Sequence, residues 1–199
     1  MTPRDRRKSG LDQLTLTVRG ADTSLNQLST VSALYAEAYA EPPYHEGRVE
    51  VEDFVSGWST RINQPNFRLV IADRLGEPVG FAFGHQLHLQ TSWWDGALTT
   101  LPDDITTEWP GRTFAIIELV VRHPYRQRGV ARWLHTHLTA GLSEERVTLL
   151  VRPDAPAPRR AYLSWGYQQV GRIQPFPAGP VYDAMIKSLQ RREAHAGWT

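Results

Sequence analysis

Hydrophobic and polar positions alternate in a strand-like way near the start of the chain and then take up a helical spacing. Residues 14–18 alternate apolar side chains with threonine, which predicts a β-strand. Apolar residues three and four positions apart then predict a helix over residues 24–40, which Pro42 and Pro43 bring to an end. A second helix is predicted over residues 49–62.

Two further apolar runs predict a hairpin, and a long stretch without either period follows it. The strands of the hairpin cover residues 67–73 and 78–87, and Gly76 lies in their turn. Residues 88–112 carry three tryptophans but no helical or strand-like spacing, which indicates a long loop or insertion. Such loops often form lids or binding walls. Packing of the tryptophans onto the core is the alternative interpretation.

The second half of the chain has a strand, a helix and a strand at its centre. A nearly continuous apolar run predicts a strand over residues 113–122, followed by a helix over 130–143 and a second apolar strand over 146–151. Such runs are typical of parallel strands covered on both faces and joined by a right-handed crossover. A helix and two strands are predicted to follow, over residues 157–165, 167–173 and 181–189. These elements predict an α/β fold, with one domain over residues 11–199 behind a disordered basic tail, residues 1–10.

The composition excludes several classes of function. The formal net charge of +1 creates no strong field for nucleic acid or an anionic membrane, so neither is expected as a partner. The chain has no cysteine, which removes disulfides, thiolate metal ligands and cysteine nucleophiles. No metal is expected, because the His45–Glu46 pair lacks the second histidine of a zinc motif. No apolar run is long enough to span a bilayer, which predicts a cytoplasmic protein. A homodimer is possible.

The loop between the central strand and its helix has the features of a phosphate-binding site. Gly129 lets the backbone turn tightly, and the small Ala131 lets a ligand approach closely. The helix then begins with free amide groups and the positive end of its dipole, which attract phosphate oxygens. We therefore expect a diphosphate to be held by Arg126, Gln127, Arg128, Gly129, Val130, Ala131 and Arg132.

This loop and a second motif resemble the GNAT superfamily of N-acetyltransferases. Residues 126–131 match the pattern [QR]xxGx[GA] between a strand and a helix, and Tyr162 lies four residues before the pair Gly166–Tyr167. The resemblance implies a GNAT-like fold of about seven strands and about four helices, in which two central parallel strands splay apart. It implies acetyl-CoA as co-substrate, with the backbone of Val120 and Val121 pairing with the pantetheine arm. It also implies direct transfer in a ternary complex, which agrees with the missing cysteine.

One tyrosine and one glutamate are the candidates for acid and base. The resemblance places Tyr162 where it could protonate the departing thiolate, because a phenol has a pKa of ~10 and a thiol one of ~8.5. Helical spacing alone would also allow Tyr162 to belong to the core. Glu118 is the only charged residue between Thr113 and Val121, and burial would raise its pKa toward that of a useful base. The alternatives are an ion pair between Glu118 and an arginine, or a base supplied by His85, His88 or water.

Aromatic residues and a few carboxylates predict the acceptor site. They suit a cationic, partly apolar amine, so a small-molecule amine is the expected acceptor. The alternatives are a protein or peptide N-acetyltransferase and a non-catalytic acyl-CoA-binding module. The insertion at residues 88–112 is long for the family and bears most on the acceptor. The expected acceptor-site residues are Tyr44, His85, Trp93, Trp94, Tyr182 and Asp183.

Overall fold

Strands occupy the positions that the hydrophobic pattern predicts. The computed structural model describes residues 14–189, and the basic tail predicted for residues 1–10 lies outside them. Each predicted strand is present to within one or two residues at either end. The strands are β1 (Leu14–Arg19), β2 (Arg68–Arg74), β3 (Glu77–Gln86), β4 (Thr113–Val121), β5 (Arg146–Val151), β6 (Gln168–Ile173) and β7 (Tyr182–Ser188).

The helices agree with the pattern in position but differ from it in extent. A short helix over Ala21–Ser24 and a 3-10 turn over Leu25–Gln27 precede the first long helix, and a second 3-10 turn over His123–Tyr125 follows β4. The helices are α1 (Ala21–Ser24), α2 (Leu28–Tyr39), α3 (Arg48–Ser56), α4 (Trp58–Ile62), α5 (Asp103–Thr106), α6 (Val130–Thr139) and α7 (Pro156–Ser164).

Two predicted helices are wrong in extent, and a glycine lies at or near the point where each one ends. The helix predicted over residues 49–62 is broken at Gly57, whose N–H caps α3 and beside which the Arg61 guanidinium packs. A Cβ at Gly57 would lie 2.0 Å from Arg61 Nη1. The helix predicted over residues 130–143 ends at Thr139, because Ala140 is already extended, with φ −65° and ψ 126°, and Gly141 follows it in the left-handed region with a φ of 68°.

The first of two compact units contains residues 14–86 and 115–140. Its strands β1, β2 and β3 form an antiparallel meander, in which Leu16 pairs with Ala72 and Val70 pairs with Ala82. Helix α6 packs on β2 and β3, and α2 packs on α3 and β3. Aromatic side chains fill the core between the helices and β3, and they are Tyr35, Phe54, Trp58, Phe67, Phe81 and Phe83.

The second unit contains residues 87–114 and 141–189. Strand β7 lies between β5 and β6 and is antiparallel to both, with Met185 opposite Leu149 on one side and Gln169 on the other. The predicted insertion belongs to this unit. Its residues 96–98 add to the end of β6, where Leu98 N–H donates to the Arg172 carbonyl at 2.9 Å.

A buried ion pair ties the far end of the insertion to β5. Glu108 and Arg146 lie 2.9 Å apart with side chains 1% and 8% exposed. The same carboxylate oxygen accepts hydrogen bonds of 3.0 Å from the Trp94 indole and from the Thr113 hydroxyl. Because removal of one partner would leave a buried charge uncompensated, this pair fixes the insertion to the sheet of its unit.

Within residues 14–189, no helix has the length and apolar character needed to cross a bilayer.

Candidate active site

The loop predicted to hold a diphosphate turns sharply before α6. Gln127 and Gly129 have φ values of 59° and 89°, which lie in the left-handed region. A Cβ on Gly129 would meet no atom within 4 Å, so glycine is needed there for its backbone angle and not for space. The N–H groups of the first helical turn, beginning at Val130, have no partner within the helix. Arg128 and Arg132 are exposed beside them, so the loop combines amide donors with positive charge.

The Arg126 side chain already has partners within the protein. Its Nε donates to the Val121 carbonyl at 2.8 Å, and its Nη1 pairs with Glu41 at 2.5 Å. Both charged side chains are 35% exposed. Arg126 therefore links the end of β4 to the loop after α2, and a diphosphate would compete with Glu41 for it.

The backbone of β4 differs between the two valines predicted to pair with pantetheine. The Val120 carbonyl faces β3, since a Cβ on Gly80 would lie 2.6 Å from its oxygen. The Arg122 N–H also faces β3 and donates to the Val79 carbonyl at 2.9 Å. Because backbone groups alternate in direction along a strand, Val121 turns its own groups away from β3. Of the two residues, Val121 fits the predicted pairing better.

Glu118 lies among tyrosines in the first unit. Its Oε2 accepts a hydrogen bond of 2.5 Å from the hydroxyl of Tyr39, the last residue of α2. The ring centroid of Tyr39 lies 4.5 Å from that of Tyr35 and 4.7 Å from that of Tyr44, whose ring is edge-on to it. One helical turn earlier, Tyr35 donates to Glu46. The hydrogen-bond donor to Glu118 is thus a tyrosine, whereas the alternative interpretation expected an arginine.

These surroundings give Glu118 an unusual acidity. Burial raises the pKa of the Glu118 carboxyl to about 7, because the ionised form loses hydration. The hydrogen bond from Tyr39 lowers this pKa, the charge of Glu46 raises it, and Arg61 lowers it. Burial also raises the pKa of Tyr39 well above its usual value, which keeps its hydroxyl protonated. A carboxyl that titrates near neutral pH can take up and release a proton during turnover.

Comparison with known families identifies the chain. A model of the family described as Acetyltransferase (GNAT) family matches residues 29–167, which are most of the chain. The chain belongs to this GNAT family. A search of curated proteins finds no match to the chain.

Solved structures show that this GNAT protein has the fold expected from the resemblance. Aminoglycoside 6′-acetyltransferase type Ii is 18% identical, with a TM-score of 0.60 over 89% of this chain and 99% of that chain. The acetyltransferase yncA from Salmonella typhimurium, solved with its cofactor acetyl-CoA, is 14% identical, with a TM-score of 0.59 over 92% and 99%. A spermidine N-acetyltransferase SpeG chimera from Vibrio cholerae and hSSAT is 15% identical, with a TM-score of 0.56 over 89% and 96%. The predicted GNAT-like α/β fold is confirmed.

Tyr162 lies on α7 in the second unit of the GNAT protein. Its side chain is 8% exposed. Its ring centroid lies 5.4 Å from that of Trp165 and 5.6 Å from that of Tyr167, edge-on to both. The tyrosine therefore belongs to an aromatic cluster, and its role as the acid stays a prediction.

The predicted acceptor residues are divided between the two units of the GNAT protein. In the first unit, Tyr44 contacts Tyr39, and His85 is half-buried near the end of β3. In the second unit, Trp93 and Tyr182 are half-buried, whereas Trp94 is buried in the cluster that includes Leu101.

Asp183, also in the second unit, is 1% exposed and is paired with neighbouring side chains. It forms salt bridges of 2.7 Å with Arg159 and 3.2 Å with Arg172, and it accepts a hydrogen bond from Gln169. Trp94 and Asp183 thus offer little surface to an acceptor. Among residues 14–189, no cluster of three metal-ligating side chains is present.

Sequence reasoning missed Tyr39, which contacts the candidate base. The helix prediction treated the face that carries Tyr35 as core, and Tyr39 follows Tyr35 by one turn. A local signal was available, since Tyr39 is the last tyrosine before the two prolines that end the helix. Tyr39 and Glu118 are 79 positions apart in the sequence, so no local pattern could predict their contact.

Proposed function

We propose that this chain is an acetyl-CoA-dependent N-acetyltransferase that acts on a primary amine of a small molecule. The observation that carries the proposal is Glu118, a half-buried carboxyl with a pKa of about 7 beside Tyr39. Such a group can take a proton from an ammonium or amine near neutral pH. The loop before α6 supports diphosphate binding through its left-handed Gly129 and exposed arginines.

The proposed reaction needs two proton transfers and one acyl transfer. Glu118 accepts a proton from the acceptor nitrogen, whose electron pair then attacks the carbonyl carbon of the acetyl thioester. The carbon–nitrogen bond forms, the carbon–sulfur bond breaks, and the departing thiolate takes a proton from Tyr162. Glu118 then releases its proton to solvent and Tyr162 takes one up from solvent, which resets both residues. The products are the acetylated amine and coenzyme A with a free thiol. No acyl-enzyme is required, which is consistent with a chain without cysteine.

Two relatives in fold support a small-molecule acceptor. One is named for an aminoglycoside and the other for spermidine, and both of these compounds are small amines. In this chain the Tyr39 hydroxyl bonds to Glu118 and the Tyr44 ring packs against that of Tyr39, and such an aromatic setting favours an organic cation. A cytoplasmic location and a homodimer stay predictions.

An amine panel tests the proposed reaction. Aminoglycosides, polyamines, amino acids and short peptides are each incubated with acetyl-CoA and the protein, and free thiol is measured. Release with a small amine, and acetylation of that amine by mass spectrometry, is the expected result. Release with peptides alone would favour a peptide acetyltransferase, and no release with any amine would favour a binding module.

Substitutions then assign the roles of individual residues. Glu118→Gln should remove the ionisation near pH 7 from the pH profile of kcat/KM, whereas Glu46→Gln should keep it and move it to lower pH, because the charge of Glu46 raises the pKa of Glu118. Tyr162→Phe should lower kcat with little change in acetyl-CoA affinity, with Tyr167→Phe as the aromatic control.

In calorimetry, Gly129→Asp should weaken acetyl-CoA binding, and unchanged affinity would remove the loop from the cofactor site.

A further inference from the structure

Two tyrosine–carboxylate pairs lie one helical turn apart at the end of α2. Tyr35 donates to Glu46, and Tyr39 donates to Glu118. Residues four positions apart share a face of a helix, and the two rings accordingly touch at a centroid distance of 4.5 Å. Only the second pair contains the carboxyl that the proposed function uses as the base. Substitution of Tyr35 therefore serves as a control for substitution of Tyr39.

The Tyr39 ring is fixed on two sides, which directs its hydroxyl at Glu118. Tyr35 tilts against one part of the ring, and Tyr44 meets it nearly perpendicularly, at 85°. The hydroxyl–carboxylate distance of 2.5 Å lies at the short end of charge-assisted hydrogen bonds, about 2.5–2.7 Å. Phenylalanine at this position would keep both ring contacts and lose only the hydrogen bond.

Three charged or titratable groups from three elements shift the pKa of Glu118. They are Tyr39 from α2, Glu46 from the loop after it, and Arg61 from α4, whereas the charge of Glu118 in turn raises the pKa of Tyr35. Burial and the charge of Glu46 favour the protonated carboxyl, whereas Tyr39 and Arg61 favour the ionised one. Of these two groups, Tyr39 lowers the pKa of Glu118 more than Arg61 does. It is thus the main group that keeps the carboxyl available as a base.

We propose that Tyr39 is a positioning residue for Glu118, whose hydroxyl orients the carboxylate and holds it ionised until the acceptor amine delivers its proton. This inference rests on the proposed function, in which Glu118 is the base. When the amine nitrogen–hydrogen bond breaks, the proton goes to a Glu118 oxygen and the nitrogen electron pair forms the bond to the acetyl carbon. Tyr39 keeps its own proton, because its burial opposes ionisation.

The protonation of Glu118 can be measured without any substrate. Protein labelled with ¹³C at glutamate carboxyls is titrated by NMR, and the Glu118 signal is assigned by its loss in Glu118→Gln. Tyr39→Phe should raise the titration midpoint of this signal by about one pH unit, because a hydrogen bond to the charged form is lost. Tyr35→Phe should leave the midpoint in place, since Tyr35 bonds the other carboxyl.

The pH profile of the reaction provides the second readout. In Tyr39→Phe the acid limb of kcat/KM should move up by the same pH unit, so that the rate at pH 7 falls about fivefold and recovers toward the wild-type value near pH 9. A merely structural role would lower the rate equally at every pH. Tyr35→Phe, which keeps the hydrogen bond to Glu118, is the reference for damage to α2.

The two readouts separate failure of the inference from failure of the proposed function. An NMR midpoint that Tyr39→Phe leaves unchanged overturns the positioning role, whatever the rates do. A midpoint that moves while the acid limb stays in place shows that Tyr39 controls Glu118 but that Glu118 is not the base. Movement of both together supports the inference and the base assignment at once.

Discussion

Replacing Glu118 with glutamine should change how the stability of the protein depends on pH. In the folded protein the pKa of the carboxyl is raised by burial to about 7, compared with a usual value of 4.5. Between these pH values the folded state binds a proton that the unfolded chain has already released. The free energy of unfolding of the wild type therefore falls as pH rises through this window. Glutamine has no proton to lose, so the variant lacks this fall.

The size of the effect follows from the two pKa values. Each pKa unit corresponds to about 1.4 kcal/mol, so a rise from 4.5 to about 7 amounts to about 3 kcal/mol. This contribution is present below pH 4.5 and is lost as pH rises through 7. The glutamine variant should gain about 3 kcal/mol relative to the wild type between pH 4.5 and pH 8. Any constant offset from altered hydrogen bonding to Tyr39 does not enter this difference.

Urea unfolding followed by tryptophan fluorescence measures the free energy of each protein at several pH values. Thr136→Ala, an exposed substitution on α6 that removes no ionisable group, provides the baseline. Its difference from the wild type should be flat with pH. If the difference between Glu118→Gln and the wild type is equally flat from pH 4.5 to 8, folding does not raise the pKa of Glu118 and the base assignment loses its physical ground.

Three further changes test other parts of the molecule. Glu108→Gln removes the salt-bridge partner of the buried Arg146 guanidinium and should cost about 3 kcal/mol in urea unfolding; a loss below about 1 kcal/mol would contradict a buried pair. Gly96→Ala should destabilise far more than Gly111→Ala by thermal unfolding, because both have positive φ but only the first would clash with a facing carbonyl, at 2.3 Å. Glu41→Gln removes the competitor for the arginine of the diphosphate loop and should tighten acetyl-CoA binding roughly threefold in calorimetry; weaker binding would mean that the carboxylate helps to shape the site.

The regular elements were predictable because their signals are local. The alternation at residues 14–18 and the apolar run at residues 113–122 each needed only their own residues to indicate a strand. The break at Gly57 was not predictable in this way. Glycine is tolerated inside helices, and the packing of the Arg61 guanidinium against Gly57 is visible only in the folded protein.

The candidate site was predictable only in part, for a related reason. A charged residue inside an apolar strand and a glycine before a helix are visible in the sequence, so Glu118 and Gly129 could be singled out. The hydrogen bond from Tyr39 and the ion pair between Glu41 and Arg126 each join segments that are far apart in the chain. Such contacts require the tertiary fold, and no period or motif encodes them.

The insertion also covers part of one edge of the sheet in its unit. An edge strand with unpaired amide and carbonyl groups can accept a strand from another molecule, and this is a common route to aggregation. Here the insertion satisfies groups at the end of β6, and the register shift between Gln169 and Gly171 disturbs the remainder of that strand. Shortening the insertion in an expression variant would uncover this edge, so a loss of solubility would be expected before any loss of catalysis.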